Sequence, residues 1–282
     1  MTAPQIQLVV NADDFGLSPG VSRGILRAHR EGVVTSTSVL GNCEDVAGAC
    51  ALLRDAPDLG VGVHLTLVGG RPVGPSASLP SLTDADGGFP SHASQFFKAW
   101  ARGRISISEI EREFDAQVCR LRDAGVKVDH LNTHRHLGFV PAVGHAMEAV
   151  ARKHGIAGIR SAVERPTLAW LTEPTRGVEA GLLTGLAWLT RRQMGALRHG
   201  PQSWGFVEAG RLDEVRILEI LGRMGPGVHE LICHPGEEDD VESEPGEAPH
   251  LRAHELVALT SNKVRRAFER RGVRLCRWRD LF

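Results

Sequence analysis

Two adjacent carboxylates stand at the end of the first apolar segment of the chain. Asp13 and Asp14 follow residues 6–10, of sequence IQLVV, within the string NADDFG. Two like charges this close together require a cation or a proton between them unless both are ordinary solvated groups. The pair is therefore the first candidate for chemistry, and the alternative is that both acids cap the turn that follows.

Two single histidines also end apolar segments. His64 closes the sequence VGVH, and His234 follows residues 228–233 in the string CHPG. Taken alone, His64 fits a hydrogen-bonded core histidine, and His234 fits either a structural loop or a catalytic role. Their shared position at the end of a strand-like run favours a functional role for both histidines.

A denser group of histidines lies in the middle of the chain. His130, His134 and His136 stand in the string DHLNTHRH, beside an apolar run over residues 126–131. Packing does not account for three imidazoles at this spacing, although the spacing does not fix which of them binds a ligand. One carboxylate with two imidazoles is a typical set of ligands for a divalent metal ion.

These residue types fit the hydrolysis of an amide. A cation bound by Asp14, His64 and His134 would polarise a carbonyl group and lower the pKa of a water molecule. Asp13, next to the ligands, would accept the proton of the water, and His234 would protonate the leaving nitrogen. The acid is needed because an amine anion is a very poor leaving group.

The order of elements predicts how these residues meet. Strands over residues 6–10, 33–40 and 59–67 alternate with helices over 19–32 and 44–54, which is typical of right-handed βαβ units and a mostly parallel sheet. In such sheets ligands bind outside the carboxyl ends of the strands. A long loop over 68–91 follows, and then helices at 93–102, 106–124, 141–154, 178–197, 212–224 and 251–271, with strands at 126–131, 156–160, 228–233 and 273–278.

Composition limits the class of protein. The net charge is −1, the pI is about 6.9 and the basic residues are scattered, so nucleic acid is not an expected partner. Five cysteines without a Cys-x-x-Cys pair argue for a reducing cytoplasm, and no stretch has the length of a membrane span. We expect a cytoplasmic α/β protein with a single domain over residues 1–282 and a helical insertion at about 161–203.

Five strings, spread over nearly the whole chain, resemble the YdjC-like carbohydrate deacetylase family. They are NADDFGLS at 11–18, EGVVTSTS at 31–38, GVHL at 62–65, HLNTH at 130–134 and CHPG at 233–236. The resemblance implies a NodB-like, incomplete or distorted (β/α) barrel. It also implies one divalent cation, which is zinc, magnesium, cobalt, manganese or nickel, and hydrolysis of an N-acetyl group from an amino sugar.

Matched position by position, the resemblance assigns roles to the candidate residues. Asp14, His64 and His134 match the metal ligands of the family, Asp13 matches its base and His234 matches its acid.

The chain departs from the family in the part of the site expected to face the substrate. Asn132 stands where the family has an aspartate, and the string HRHLG at 134–138 lacks the last histidine of the family pattern. We expect Asn132, His136 and Arg160 to contact the substrate, and because of these departures a chitooligosaccharide is not assumed.

The segment 67–88 looks closer to the hopanoid-associated branch of the family, in which the amino sugar carries a lipid. An apolar helix side within residues 178–189, followed by Arg191 and Arg192, leaves three alternatives open. They are burial in the core, a homodimer interface, and peripheral contact with the inner face of the membrane to receive a lipid-linked substrate. The apolar side consists of Leu182, Leu183, Leu186 and Leu189.

Three other functions fit parts of the pattern. Two histidines and one carboxylate also suit a non-haem iron oxygenase, although Asp13 would have no evident use there. A similar metal site could hydrolyse another carbon–nitrogen bond, such as a cyclic amide. A relative that binds sugar without catalysis would keep the fold, but the complete set of ligands, acid and base argues against it.

Overall fold

The strands form one sheet. The structure is a computed structural model that describes residues 5–160, 166–172, 174–193, 200–237 and 249–282. In the described part of the chain the order of strands is β5-β4-β3-β2-β1-β7-β6, with β8 beside β1, and all pairs are parallel. The strands are β1 Ile6–Phe15, β2 Ser36–Leu40, β3 Gly60–Leu65, β4 His130–Thr133, β5 Gly158–Ile159, β6 Gln202–Trp204, β7 Gly227–Cys233 and β8 Arg274–Leu275.

Helices connect most of the strands. The first helix begins at Pro19 because Ser18 caps it: Ser18 Oγ accepts a hydrogen bond from Val21 N at 3.1 Å. Pro19 fits the first turn, where no amide proton is needed. The helices are α1 Pro19–Glu31, α2 Val46–Arg54, α3 Ala93–Ala101, α4 Ile107–Asp123, α5 Pro141–His154, α6 Ala169–Thr172, α7 Pro174–Gln193, α8 Glu214–Arg223, α9 Pro249–Leu259 and α10 Asn262–Arg270, and 3₁₀ turns cover Ser76–Ser78, His134–Phe139 and Trp278–Asp280.

The sheet curls into an incomplete barrel, as predicted. Strand β1 lies at its centre, where Leu8, Val9 and Val10 are completely buried because the sheet is covered on both faces. At the open side, the described residues of β5 and β6 form no ladder, and the amide of Gly200 donates to Ile159 O at 3.0 Å across the gap.

Several predicted boundaries are wrong. Strand β1 continues to Phe15, so both acids lie inside the strand rather than after it. Strand β4 begins at His130, not at residue 126. The predicted helix over 251–271 is two helices. Helix α9 ends at Leu259, and Ser261 caps α10 by accepting a hydrogen bond from Lys263 N at 3.1 Å. The short strand β6 was not predicted.

The predicted insertion contains α6 and α7. Helix α7 packs next to the strand ends, where Thr190 Oγ1 donates to Phe139 O at 2.8 Å. Val178 and Leu182 are exposed, so core burial is excluded for this part of the apolar helix side. Parts of the predicted helix over 178–197 and of the predicted loop over 236–249 lie outside the described residues. None of the described helices is long and apolar enough to span a membrane.

Candidate active site

An irregularity in β1 brings both acids to one site. Successive side chains of a regular strand point to opposite faces. Here the register between β1 and β2 shifts between Ala12 and Phe15, and Asp14 adopts a left-handed backbone with φ of 69°. Such a conformation costs on the order of 1–3 kcal/mol in a residue other than glycine. The distortion lets Asp13 and Asp14 contact neighbouring groups at the carboxyl edge of the sheet.

Asp14, His64 and His134 form a cluster with the geometry of a metal site. Asp14 Oδ1 lies 3.3 Å from His64 Nε2 and 3.2 Å from His134 Nδ1, and all three atoms lie within 4.8 Å of one another. Tetrahedral ligands about 2.1 Å from one ion lie about 3.4 Å from each other. The three buried side chains therefore fit a divalent cation.

Asn132 fixes the orientation of His64. The Nδ1–H group of His64 donates to Asn132 Oδ1 at 2.7 Å, which leaves the lone pair of Nε2 on the side of Asp14. The Nδ2 group of Asn132 donates to Asp13 Oδ1 at 3.1 Å and to Ser38 Oγ at 2.8 Å. Asn132 is almost completely buried among these partners, whereas the sequence predicted contact with substrate.

Asp13 is held by a buried ion pair. Arg160 Nη1 donates to Asp13 Oδ2 at 2.6 Å and Arg160 Nη2 to Oδ1 at 2.8 Å, while Oδ1 also accepts from Asn11 and Ser38. Burial acts to raise the pKa of Asp13 and is the largest single influence. The charge and hydrogen bonds of Arg160, together with the charges of His64 and His234, outweigh it and hold this pKa well below its usual range. Asp13 is therefore a carboxylate with one preferred orientation.

Arg160 has a second acidic partner. Its Nε and Nη2 groups donate to Glu230 Oε1 at 3.0 and 2.8 Å, and the Arg160 side chain is only 2 % exposed. The sequence predicted that Arg160 contacts the substrate. In the structure its guanidinium instead bridges two carboxylates, because two buried acids, Asp13 near the end of β1 and Glu230 inside β7, need a counter-charge.

Helix α9 contributes two charged groups. Arg252 Nη2 donates to Asp14 Oδ2 at 2.8 Å, on the carboxylate oxygen that does not face the histidines. Burial acts to raise the pKa of Asp14, but the charge of Arg252 and the close contacts with His134 and His64 hold it well below its usual range. Glu255 accepts from His234 N and Gly210 N, both at 2.6 Å, which anchors the loop after β7.

The turn after β4 directs His134 and His136 to different surroundings. Arg135 and His136 both have a left-handed φ of 53°, so His134 faces Asp14 and the His136 ring packs against Phe206 at 4.6 Å between centroids. Burial lowers the pKa of His136, which keeps its imidazole neutral.

His130 lies away from the cluster. Its ring stacks on Trp278 at 4.9 Å, and its Nδ1 lies 2.6 Å from Asp129 Oδ1. His130 is thus a core histidine.

His234 follows β7 at the same edge of the sheet. Its Nδ1 atom is buried and has no hydrogen-bond partner among the described residues. After burial and the charge of Arg160, the charges of His64 and His234 also act on the pKa of Asp13.

Five residues that hold the site were not predicted: Asn11, Ser38, Glu230, Arg252 and Glu255. An acid inside the apolar strand β7 was a signal for Glu230, because a buried charge requires a partner. Arg252 and Glu255 lie three residues apart and share a helix face, but nothing in their local sequence names their partners.

A second group of potential ligands lies elsewhere. Asp115, Cys119 and His154 also offer atoms within 4.8 Å of one another. Lys153 Nζ lies 2.8 Å from Asp115 Oδ1 and already supplies the counter-charge. This group is consequently a surface ion pair rather than a metal site.

Comparison with known proteins finds relatives over nearly the whole chain. A "Carbohydrate deacetylase" of Geobacillus stearothermophilus is 32% identical over 277 residues, covering 97% of each chain. A "Chitooligosaccharide deacetylase" of Enterobacter sp. (strain 638) is 31% identical over 282 residues, covering 97% of this chain and 98% of the relative. The crystal structure of an Enterococcus faecalis V583 protein with a proposed role in cellobiose-phosphate cleavage has a TM-score of 0.81 at 28% identity, covering 99% of both chains.

The fold and the relatives together show that the molecule is a hydrolase of the deacetylase type, built on a NodB-like incomplete barrel. The sequence pattern of the YdjC-like protein family matches residues 7–270, and the chain belongs to that family. The predicted family, fold and enzyme class are confirmed.

Proposed function

We propose that the protein hydrolyses the N-acetyl group of an amino sugar and releases acetate. The observation that carries this proposal is the meeting of Asp14, His64 and His134, with an oriented carboxylate, Asp13, beside them. Relatives that cover nearly the whole chain and are named carbohydrate or chitooligosaccharide deacetylases support it.

The proposed cofactor is one divalent cation. Asp14 Oδ1, His64 Nε2 and His134 Nδ1 would bind it, and when bound it would polarise the acetyl carbonyl and make a water molecule more acidic. Arg252 holds the other oxygen of Asp14, so Asp14 would offer a single oxygen to the ion. Zinc, magnesium, cobalt, manganese and nickel all accept mixed Asp and His ligation.

Asp13 is the proposed base. Its Oδ1 atom accepts four hydrogen bonds, from Arg160, Asn11, Ser38 and Asn132. Among the described residues, its Oδ2 atom accepts only from Arg160 Nη1. A carboxylate oxygen has two lone pairs, so Oδ2 keeps capacity for the proton of the attacking water.

His234 is the proposed acid. Its backbone amide is held by Glu255, and its Nδ1 atom lies buried at the edge of the site. A positioned imidazolium there would deliver a proton to the amine nitrogen as the carbon–nitrogen bond breaks. The number of protons on the protein is then unchanged, because Asp13 accepts one proton and His234 donates one.

His136 is the proposed contact to the substrate. Its neutral ring forms a wall with Phe139 and Phe206, at 5.8 and 4.6 Å between ring centroids. Such a wall suits the apolar face of a sugar or the methyl group of the acetyl. Asn132 and Arg160 would act on the substrate through Asp13 and His64, which they hold.

The exposed side of α7 bears on whether the amino sugar is linked to a lipid. Helix α7 exposes Val178, Leu182 and Trp188, with 51–69 % of each residue accessible. These side chains fit either a homodimer interface or peripheral contact with a membrane that carries a lipid-linked substrate. Membership of the hopanoid-associated branch stays a prediction. Cosedimentation with liposomes tests the membrane alternative, and a Leu182→Ser variant that sediments equally would contradict it.

One assay tests the proposed function. Protein stripped of metal by a chelator is supplied in turn with zinc, magnesium, cobalt, manganese or nickel and mixed with free, oligomeric and lipid-linked N-acetylglucosamine. We expect acetate release that depends on at least one of these ions. No acetate from any substrate with any ion would refute the proposal.

A further inference from the structure

Helix α9 carries two histidines on its solvent-exposed face. His250 and His254 lie about one helical turn apart, and both are exposed. Their rings approach to 5.8 Å between centroids, at an interplanar angle of 68°. Side chains four positions apart lie on the same face of a helix. These two imidazoles, the outer pair, can therefore reach one common ligand from the solvent.

The geometry of the outer pair is close to that of the two histidines of the proposed metal cluster. His64 and His134 lie 5.3 Å apart between ring centroids, at an interplanar angle of 78°. Two imidazole nitrogens about 2.1 Å from one ion bring their ring centres to about 4.5–5.3 Å. The outer pair reaches this separation by small side-chain rotations, because no hydrogen bond or ion pair with another described residue holds either ring. Histidines four positions apart on a helix bind zinc in metalloproteases.

The charges around the outer pair favour a cation. Residues 237–247, directly before α9 in the sequence, contain seven acids and no lysine or arginine. Such a density of negative charge raises the local concentration of cations. Arg252, the base nearest to the pair in the sequence, is itself bound to Asp14. Imidazole ligands suit copper, nickel and zinc, whereas magnesium and manganese prefer oxygen ligands, so the first three are the expected ions.

The opposite face of α9 holds the catalytic site. Arg252 Nη2 donates to Asp14 Oδ2 at 2.8 Å, and Glu255 accepts from His234 N at 2.6 Å. Both side chains of α9 are buried. Arg252 stands between the two outer histidines in the sequence, so an ion bound to both would close the helical turn that carries it. The first turn of a helix lacks part of its backbone hydrogen bonds and frays most easily, so such a link should hold it in place.

We propose that the outer pair binds a second divalent ion, of copper, nickel or zinc, which stabilises the start of α9 and with it Arg252 and Glu255. This site is separate from the proposed catalytic ion and has no part in the chemistry above. Two imidazoles without a carboxylate bind more weakly than the catalytic cluster should. The outer pair should therefore fill only at ion concentrations well above those that fill the cluster.

The first test counts the sites by calorimetric titration of metal-free protein. Nickel should bind in two classes, and manganese should not bind in the weaker one. His250→Ala should lose the weaker class. His145→Ala is the matched control, because His145 is exposed on α5 and has no histidine three or four positions away, and it should keep both classes. A weaker class that is absent from the wild-type protein, or that persists in His250→Ala, would overturn the proposal.

A second variant separates the two sites. His64→Ala should lose the stronger class and keep the weaker one, so failure of the proposed catalytic site and failure of the outer site give different results. In this variant, copper should show electron paramagnetic resonance with splitting from two nitrogen ligands. His254→Ala added to it should leave at most one. Bound copper without nitrogen splitting would exclude the outer pair as its ligands.

Hydrogen exchange tests the link between the ion and α9. The amides of α9 are followed in His64→Ala, with and without nickel at ten times the Kd of the weaker class. If the ion binds only to the formed helix, opening of the helix should become about tenfold rarer. Adding His250→Ala should abolish this protection. Equal exchange with and without bound nickel would refute the stabilisation of α9.

Discussion

Asn132 connects the two halves of the site through one amide. Its oxygen accepts from His64, and its nitrogen donates to Asp13 and Ser38. An aspartate in this position keeps the acceptor for His64 but loses the donor and brings another negative charge to Asp13. The departure from the family pattern therefore bears on how the ligand and the base are held, rather than on a wall facing the substrate.

Replacing Asn132 should separate these two contacts. Asn132→Ala removes the acceptor of His64 Nδ1, and loss of such a partner typically costs about 10–100-fold in metal affinity. Asn132→Asp keeps the acceptor and should bind the ion more tightly than the alanine variant. Calorimetric titration of metal-free protein with zinc and manganese measures both. An unchanged affinity in Asn132→Ala would show that this hydrogen bond does not orient His64.

Replacing Asp13 and replacing His64 should have different effects on metal binding. Asp13→Asn keeps all three proposed ligands, so the ion should bind while turnover falls by about 10²–10⁴-fold. His64→Ala should lose both ion and turnover. Metal content after dialysis and the rate of acetate release are the measurements. Wild-type activity in Asp13→Asn would reject Asp13 as the base.

At the scale of elements, α1 supports the loop that carries His234. A Cβ atom on Gly24 would lie 2.5 Å from Gly236 Cα, and Glu237 N donates to Gly20 O at 3.1 Å. The helix and the loop thus approach backbone to backbone, which only glycine permits. The position of His234, two residues before Gly236, depends on this close approach.

Gly24→Ala should consequently disturb the site from a distance. The added methyl group must displace backbone, and overpacking of this kind costs about 1–3 kcal/mol in the free energy of unfolding. We expect a lower melting temperature and a lower kcat.

Gly222→Ala in α8 is the matched control. Its Cβ atom would meet no other atom within 4 Å, so it should stabilise the protein by about 0.5–1 kcal/mol. Equal effects of the two substitutions on stability would contradict the close approach of α1 and the loop.

For the whole molecule, β1 joins segments from both halves of the chain. It pairs with β2 on one side and with β7 and β8 on the other. Because both flanking groups of strands need β1 for their hydrogen bonds, we propose that the chain folds as a single domain, as the sequence predicted. The predicted cytoplasmic location stays a prediction.

A bound ion should stabilise this single unit. An ion at 100 times its Kd stabilises the folded state by about 2.7 kcal/mol. We expect one cooperative calorimetric transition that moves to higher temperature with the ion and returns after chelation, and a His64→Ala variant that shows no shift. Two separate transitions would contradict the single domain, and an equal shift in His64→Ala would place the ion elsewhere.

The incomplete barrel was implied by the resemblance to the YdjC-like family, whereas the residues themselves predicted the mostly parallel sheet, most helices and the candidate residues of the cluster. Local signals suffice there, because hydrophobic period, caps such as Ser18 and the position of polar groups at strand ends all act over a few residues. The sequence pattern misplaced the start of β4 and joined α9 to α10, since their ends depend on pairing and capping partners.

Only the tertiary structure decided the counter-charges. Arg160 meets Asp13 across 147 positions of the chain, and Arg252 meets Asp14 across 238. Such contacts follow from strand register and helix docking, and no local pattern encodes them. The left-handed Asp14 has the same origin, because the strain of its backbone persists only where the surrounding ion pairs and hydrogen bonds hold it in place.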